Sequence, residues 1–221
     1  MSGIQQMLTG GTYKAPIPYG WPANIGDAYG GGFFAGQINV SSVKYNLIVA
    51  PKSTGQASGK LWGTNGTTTG ITSPITGPVN SAALAALGAD YQAAIFCEGL
   101  TIGGFSDWYL PAKNELEVLY YFLKPTTAAN NTGSGSNANA VNPPEPVSTN
   151  YTSGSPTQTT STVFKDGGSE AFSYSTDFTL YYWSSTEESN YGAWNKSFYE
   201  GFDNAFKDRT EYTRAVRRVL A

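Results

Sequence analysis

The side chains that most often carry out catalysis are scarce in this sequence of 221 residues. It contains no histidine and one cysteine, Cys97. Serine–histidine, cysteine–histidine and zinc–histidine chemistries are therefore excluded, because each of them requires an imidazole. Cys97 lies in the apolar run AAIFCEGL without a basic neighbour that would activate its thiol, so we expect it to be buried and unreactive.

Paired carboxylates are the remaining route to catalysis. Glu115 with Glu117, or Glu187 with Glu188, could in principle hydrolyse a glycosidic bond. Side chains two residues apart on a helix diverge, however, and Glu115 stands where a helix-capping residue is expected. We therefore predict that the protein is not an enzyme, with an unrecognised polysaccharide depolymerase as the alternative.

The C-terminal segment 181–219 is crowded with tryptophan, tyrosine, phenylalanine, asparagine and serine. Tyrosine, asparagine and serine are among the residue types that dominate binding loops. A period of two in AWNKSF (193–198) directs Trp194 and Phe198 to the core, with the stem of Lys196 along them and its charge in water. The residues expected to contact a ligand face outward on this strand or lie in the adjoining turns: Tyr191, Asn195, Ser197, Tyr199, Glu200, Phe202, Asn204 and Phe206. Such a surface suits a glycan or a protein. Ordinary solvated strand residues are the alternative interpretation.

Charge and hydropathy exclude two classes of partner. Charged residues make up 13% of the chain, the net charge is -3 and there is no block of Lys or Arg, so nucleic acid is not an expected partner. No apolar run is long enough to span a bilayer. The N-terminal residues have neither a basic start nor a continuous apolar stretch, so we expect no signal peptide and synthesis in a cytoplasm.

Periodicity predicts a mixed set of elements. Aromatic and β-branched runs predict a β-hairpin over 33–50. Helical spacing of apolar residues predicts a helix over 81–100 with a break at Gly88, and another over 110–125 with Pro111 in its first turn.

Two segments lack such periodicity. Residues 125–160 are of low complexity and are predicted to be a structureless loop inserted in the domain. Residues 1–30 are predicted to be an extended arm for attachment or oligomerisation, with a frayed terminus as the alternative. Residues 31–221 then make up a single domain.

Four motifs in the second half of the chain resemble one known family. They are DWYLPAKNELEVLY (107–120), YWSSTE (182–187), AWNKSF (193–198) and RAVRRV (214–219). Together, in this order, they resemble the Lcl C-terminal domain family, also called DUF1566. That family is similar to C-type lectin-like domains and is found in bacterial surface proteins and bacteriophage tail proteins. The resemblance covers residues 91–221, and the openings MSGIQQMLTGG and GGFFAGQINVSSVKYNLIVAPKSTG resemble those of phage tail proteins.

The resemblance implies an α+β fold of the C-type lectin-like kind. Two helices would pack on a small twisted antiparallel sheet, and long loops would form the ligand face. The hairpin at 33–50 would pair with a strand at 212–220 to close the domain.

The resemblance also implies a function. We expect a non-catalytic bacteriophage tail receptor-binding protein that recognises a glycan or protein on the host surface, in the virion tail. The N-terminal arm would bind other tail proteins, and a homo-oligomer, by analogy a trimer, would strengthen weak contacts by repetition. A purely structural tail or baseplate protein and a bacterial surface adhesin are the alternatives.

A calcium site is not the leading expectation. Animal C-type lectins use Glu-Pro-Asn and Trp-Asn-Asp, whereas this chain has Glu-Pro-Val at 145–147 and Trp-Asn-Lys at 194–196, and each lacks an oxygen ligand. We therefore expect no cofactor, with calcium as an open alternative. The carboxylates that could hold it are Glu187, Glu188, Asp203 and Asp208.

The C-terminal arginines are expected to be structural. Arg214, Arg217 and Arg218 resemble the family's terminal strand, and alternation places them on both of its sides. We predict that they bridge strands to carboxylates such as Asp107 or Glu187 rather than bind an anion.

Overall fold

A computed structural model of the chain describes residues 22–141, 149–203 and 206–221. This part of the chain is an α+β structure with four helices and two sheets. In chain order the elements are β1 (Ala28–Tyr29), β2 (Gly32–Val40), β3 (Val43–Val49), α1 (Lys52–Gly55), β4 (Gln56–Leu61), α2 (Gly77–Ala86), α3 (Gln92–Glu98), α4 (Lys113–Leu123), β5 (Ala140–Val141), β6 (Tyr182–Glu187), β7 (Ala193–Lys196), β8 (Thr210–Arg214) and β9 (Val216–Leu220). None of the described helices is long and apolar enough to cross a membrane.

The first sheet contains the predicted hairpin and has the order β1-β2-β3-β9, with β5 paired to the other side of β2. The β2–β3 turn consists of Ser41 and Ser42, whose φ angles of 52° and 68° suit a tight two-residue hairpin. β3 pairs antiparallel with β9, from Tyr45 opposite Leu220 to Val49 opposite Val216. The predicted pairing of the hairpin with the C-terminal strand is confirmed.

The second sheet has the order β4-β8-β6-β7. The single predicted strand at 212–220 is therefore wrong in one respect, because Ala215 separates β8 and β9 and each strand joins a different sheet. β6 and β8 run parallel at Tyr182 and Tyr212, so this sheet is not purely antiparallel.

The predicted helices are present with shifted ends. The helix expected over 81–100 is present as two helices, α2 and α3, with the break near Gly88. The φ of Gly88 is 115°, a positive value that glycine adopts without strain. α4 begins at Lys113, so the prediction that Pro111 lies in its first turn is wrong. Glu115 caps α4 as predicted, since its Oε2 accepts a 2.8 Å hydrogen bond from the Ala112 N–H.

Two clusters of buried apolar side chains form the core. One packs α4 against the first sheet and includes Leu119, Leu47 and Phe198. The other packs α2 and α3 against Trp62 and Trp183. Since both clusters draw on strands near the C-terminus, much of the segment 181–219 is interior.

The segment 125–160 is packed against the domain over its described parts, 125–141 and 149–160, contrary to the expectation of a structureless loop. The side chain of Asn130 donates to Pro156 O at 2.9 Å and accepts from Tyr120 Oη at 2.8 Å. Buried amides replace apolar packing here, which is why composition alone suggested disorder.

The N-terminal boundary also differs from the prediction. Residues 1–21 lie outside the described residues, so the expected arm is described only in part. Residues 22–30 belong to the domain, because β1 pairs with β2 and Tyr29 is buried.

Candidate ligand-binding surface

The strand that was expected to present ligand contacts, β7, is covered on both faces. Asn195 and Ser197 retain only 3% and 0% of their exposure, so the prediction that they face outward is wrong. α4 packs against β7, and the turn after the strand folds back over it. In that turn Ser197 N–H donates to Phe202 O at 3.0 Å, and Gly201 N–H donates to Ser197 O at 3.0 Å.

Lys196 was expected to keep its charge in water, and this prediction is also wrong. Its side chain is buried, and Nζ lies 2.5 Å from Glu117 Oε2 and in direct contact with Asp203 Oδ1. Burial alone would lower the pKa of Lys196, but Asp203 and Glu117 outweigh it and raise the pKa to about 12. Phe198 is buried as predicted, whereas Trp194 is half-buried beneath Lys113 Nζ, 3.3 Å from its ring centre.

The other predicted contact residues divide by exposure. Tyr191, Phe202 and Phe206 are exposed, whereas Tyr199 and Glu200 are half-buried. Asn204 lies outside the described residues.

Tyr199 forms a three-ring cluster with Tyr174 and Phe178, here called the aromatic triad. The Tyr174 and Tyr199 rings stack with centroids 5.8 Å apart and planes at 20°, and the Phe178 ring meets Tyr199 edge-on at 6.0 Å. Phe178 is 43% exposed, and the two tyrosines are half-buried. The cluster thus offers solvent a set of flat apolar faces already fixed by mutual contact.

The backbone at Phe178 is held in an unfavourable conformation. Its φ of 58° is left-handed, which costs about 1–2 kcal/mol for a residue with a Cβ. Local hydrogen bonds hold the turn: Thr179 N–H donates to Ser175 Oγ at 3.0 Å, and Thr179 Oγ1 donates to Asp177 Oδ1 at 2.7 Å. Backbone strain of this kind concentrates at binding and catalytic sites, and here it turns a phenylalanine ring toward solvent.

The 125–160 segment positions the other end of the triad. Thr126 Oγ1 donates to Tyr199 O at 2.8 Å, and Asn131 N–H donates to Glu200 O at 2.8 Å. Burial and the hydrogen bond that its hydroxyl donates to the Asp166 carboxylate raise the pKa of Tyr174, and the hydroxyl oxygen remains able to accept a hydrogen bond.

A second exposed aromatic group comprises Tyr191 and Phe206. Lys207 N–H donates to Tyr191 O at 2.9 Å, and the Arg209 guanidinium lies 5.4 Å from the Phe206 ring centre. Beneath this group Lys207 Nζ lies 2.6 Å from Glu187 Oε1.

Of the carboxylates considered for catalysis or metal binding, Glu115, Glu117 and Glu187 are buried, Asp203 is half-buried, and Glu188 and Asp208 are exposed. Burial raises the pKa of Glu115 to about 7, and its Oε1 accepts from Tyr109 Oη at 2.9 Å. Glu187 accepts from Thr69 and Gly70 N–H as well as from Lys207. Among the described ranges, no three Asp, Glu or Cys side chains gather as metal ligands.

The interior groups with a predicted structural role mostly behave as expected. Cys97 is fully buried, and burial raises the pKa of its thiol to about 12. Arg217 makes a two-point bridge to Asp107 at 2.7 and 2.8 Å, as predicted. The prediction of an arginine partner for Glu187 is wrong, since Lys207 occupies that position.

Sequence reasoning missed Tyr174 and Phe178. The signal was available in SYSTDFTLYY (173–182), where Ser, Thr and Asp surround a phenylalanine with residues that form side-chain-supported turns. Comparison with known proteins adds no relative: no protein-family model, curated protein or solved structure matches this chain.

Proposed function

We propose that the protein is a non-catalytic receptor-binding component of a bacteriophage tail, with a C-type lectin-like domain. The aromatic triad would recognise a glycan or protein of the host surface. The resemblance of the four C-terminal motifs supports the family and the tail context. The triad supports the binding role and is the observation that carries the proposal.

The chemistry of the triad fits a sugar-containing receptor. Flat aromatic faces pack on the C–H faces of pyranose rings, and tyrosine hydroxyl oxygens accept hydrogen bonds from sugar hydroxyls. Rings already locked against each other lose little rotamer entropy on binding, which favours affinity. The same exposed rings also suit a protein receptor, because tyrosines serve as rigid anchors in protein interfaces.

The proposal extends to the assembly of the particle. A homo-oligomer, by analogy a trimer, would repeat the binding site and so raise the overall affinity above that of each weak contact. Residues 1–21 would connect the domain to other tail proteins, and no cofactor takes part in recognition.

The test is cell binding by the full chain. Fluorescently labelled protein is titrated on candidate host cells, and saturable binding is expected. Phe178→Ala should weaken binding by about tenfold or more, because a central aromatic anchor is worth 1–2 kcal/mol or above. Tyr191→Ala is the matched control, since it removes a more exposed ring from the turn between β6 and β7. Equal losses in both variants, or no saturable binding by the folded wild type, would contradict the proposal.

A structural role in the tail or baseplate is the second candidate. It is favoured by exposed apolar side chains on or beside α2 and α3, away from the loops: Val79, Leu87 and Ile95. In that case Leu87→Ser should impair assembly of the particle, while Phe178→Ala should leave assembly and infectivity unchanged.

A further inference from the structure

A buried group of one amine and two carboxyls lies at the end of β7. Lys196 Nζ contacts Glu117 Oε2 at 2.5 Å and also contacts Asp203 Oδ1, and this group is here called the lysine pocket. The rings of Tyr120 and Tyr151 form its walls, with centres 5.8 and 5.6 Å from Nζ. The two aromatic rings shield the amine and the two carboxyls from water, so that these three groups lie together in a surrounding of low polarity.

The charges of the lysine pocket do not balance. Within contact distance one ammonium faces two carboxylates, and the Lys113 ammonium acts on both carboxylates from beyond that distance. A net negative charge among the three groups in contact is costly in the interior. Burial raises the pKa of Glu117 to about 7 against the opposing effect of Lys196, so a proton on Glu117 removes the imbalance at neutral pH. Glu117 is therefore suited to accept and return a proton.

One oxygen of Glu117, Oε1, is buried and has no hydrogen-bond partner among the described residues. Glu117 also lines a cavity of about 10 Å³ together with Asn137 and Gly135. Such a space holds about one water molecule.

We propose that Lys196 and Asp203 condense to an intramolecular amide bond, with Glu117 as the proton carrier. The direct contact of the amine with a second carboxyl supports this pairing, as do the aromatic walls. Asp203 is the electrophile because its side chain is 14% exposed, against 5% for Glu117, so the released water has a path out.

The reaction is a condensation that balances without any other reactant. From the form in which Glu117 is protonated, Lys196 passes one proton to the Asp203 carboxylate that it contacts, and the neutral amine attacks Cγ of the resulting carboxylic acid. Glu117 then gives its proton to the Asp203 hydroxyl, which leaves as water, and takes the second proton from the nitrogen. The N–C bond forms, a C–O bond breaks, nothing is oxidised, and Glu117 ends as it began. The ammonium form predominates at Lys196, so the reaction is slow and follows folding.

The bond would join β7 to the turn that covers it. It closes the turn 197–202 covalently. A covalent cross-link reduces the entropy of the unfolded chain, as a disulfide does. With a single cysteine, the chain cannot obtain this effect from an intrachain disulfide.

The direct test is the intact mass of the folded, purified full chain, measured after denaturation. The cross-link predicts a mass about 18 Da below that of the sequence, the loss of one water. Trypsin should then fail to cut after Lys196 and release the linked peptide 166–207. A folded wild-type chain with the full sequence mass would overturn the proposal and leave an ordinary buried ion group.

Two variants and an internal control locate the bond. Asp203→Asn should lose about 17 Da instead, because ammonia replaces water as the leaving group; a loss of about 18 Da would move the bond to Glu117. Glu117→Gln should retain the full mass, and rapid cross-linking in it would overturn the proton-carrier role. Lys207 is the control, since it is equally buried but contacts a single carboxylate, Glu187, so cleavage after Lys207 should be complete.

Discussion

β7 and the aromatic triad are built from the same kinds of residue and have opposite accessibility. Ser197 and Phe198, directly after β7, are fully buried, and the Phe198 ring stacks on Phe172 at 3.8 Å. Phe178 in the triad is 43% exposed and stands on a strained turn. Polar and aromatic composition therefore does not mark a binding surface by itself. What distinguishes the two regions is whether a helix or a turn covers them.

The comparison divides the expected effects of mutation. Changes around β7 should reduce stability and leave the binding of each folded molecule unchanged. Changes in the triad should reduce binding with little loss of stability.

Phe198→Ala should cause the largest loss. The ring is fully buried and contacts Phe172, Tyr182 and Tyr120. Its removal leaves a cavity and should lower the free energy of unfolding by about 3–5 kcal/mol. Urea denaturation measures the change, and Val43→Ala at an exposed position is the control. A loss below about 1 kcal/mol would show that the ring is not in the core.

Lys207→Met should cost about 3 kcal/mol, because it leaves the buried Glu187 carboxylate without its cation. This loss is at the low end of the range for removing one partner of a buried ion pair, because the N–H groups of Thr69 and Gly70 still donate to Glu187. The double variant Lys207→Met/Glu187→Gln should recover part of the stability. If it is no more stable than Lys207→Met, the ion pair is not the source of the effect.

Glu211→Gln should flatten the dependence of stability on pH. Burial raises the pKa of Glu211 to about 7, against the opposing hydrogen bond from Tyr181 N–H. The protonated Glu211 carboxyl stabilises the fold fully at pH values below its ordinary pKa of 4.5. This stabilisation is lost as the pH rises through its folded-state pKa of about 7. The wild type should therefore be more stable at mildly acidic pH than at neutral pH. In Glu211→Gln this difference in the free energy of unfolding should be smaller by about 1–3 kcal/mol.

Urea denaturation across this pH range provides the measurement, with the exposed Glu188→Gln as the control. Buried Glu115 and Glu117 should titrate in the same direction, so some slope will remain in Glu211→Gln. An unchanged slope would show that Glu211 is ionised in the folded protein at these pH values.

Phe178→Asn should have the smallest effect on stability, and that effect should be a gain. Asparagine tolerates a left-handed backbone, so the variant relieves strain and should add up to about 1 kcal/mol, measured as a rise in Tm. Binding should fall because the ring is gone. A variant that loses stability would show that ring packing, rather than backbone strain, dominates at this position.

Local sequence patterns predicted the helices and strands better than they predicted the ligand-binding surface. The hairpin at 33–50 follows from aromatic and β-branched runs on either side of Ser41 and Ser42, and α4 follows from apolar spacing that ends before Pro125. These features depend on neighbours in sequence. The pairing of β3 with β9 came from the resemblance, because no local pattern specifies a partner so distant in the chain.

The candidate surface depended on distant contacts that alternation does not show. Asn195 and Lys196 were expected to reach water because a strand usually has one wet face, but α4 and the following turn cover β7. The partner of Lys196 on α4, Glu117, had been considered only as a catalytic group. Phe178 was missed because aromatic residues in turns are ordinarily unremarkable, and its left-handed backbone is visible only in the structure.

The central claim, that the triad and not β7 contacts the receptor, is tested most directly by hydroxyl-radical footprinting. The full chain is labelled alone and bound to cell-envelope fragments of a host that it binds, and modified residues are read by mass spectrometry. We predict that Tyr174, Phe178 and Tyr199 become protected on binding, while Tyr191 stays reactive and Phe198 is unreactive in both states. Equal labelling of the triad in the free and bound protein would contradict the account.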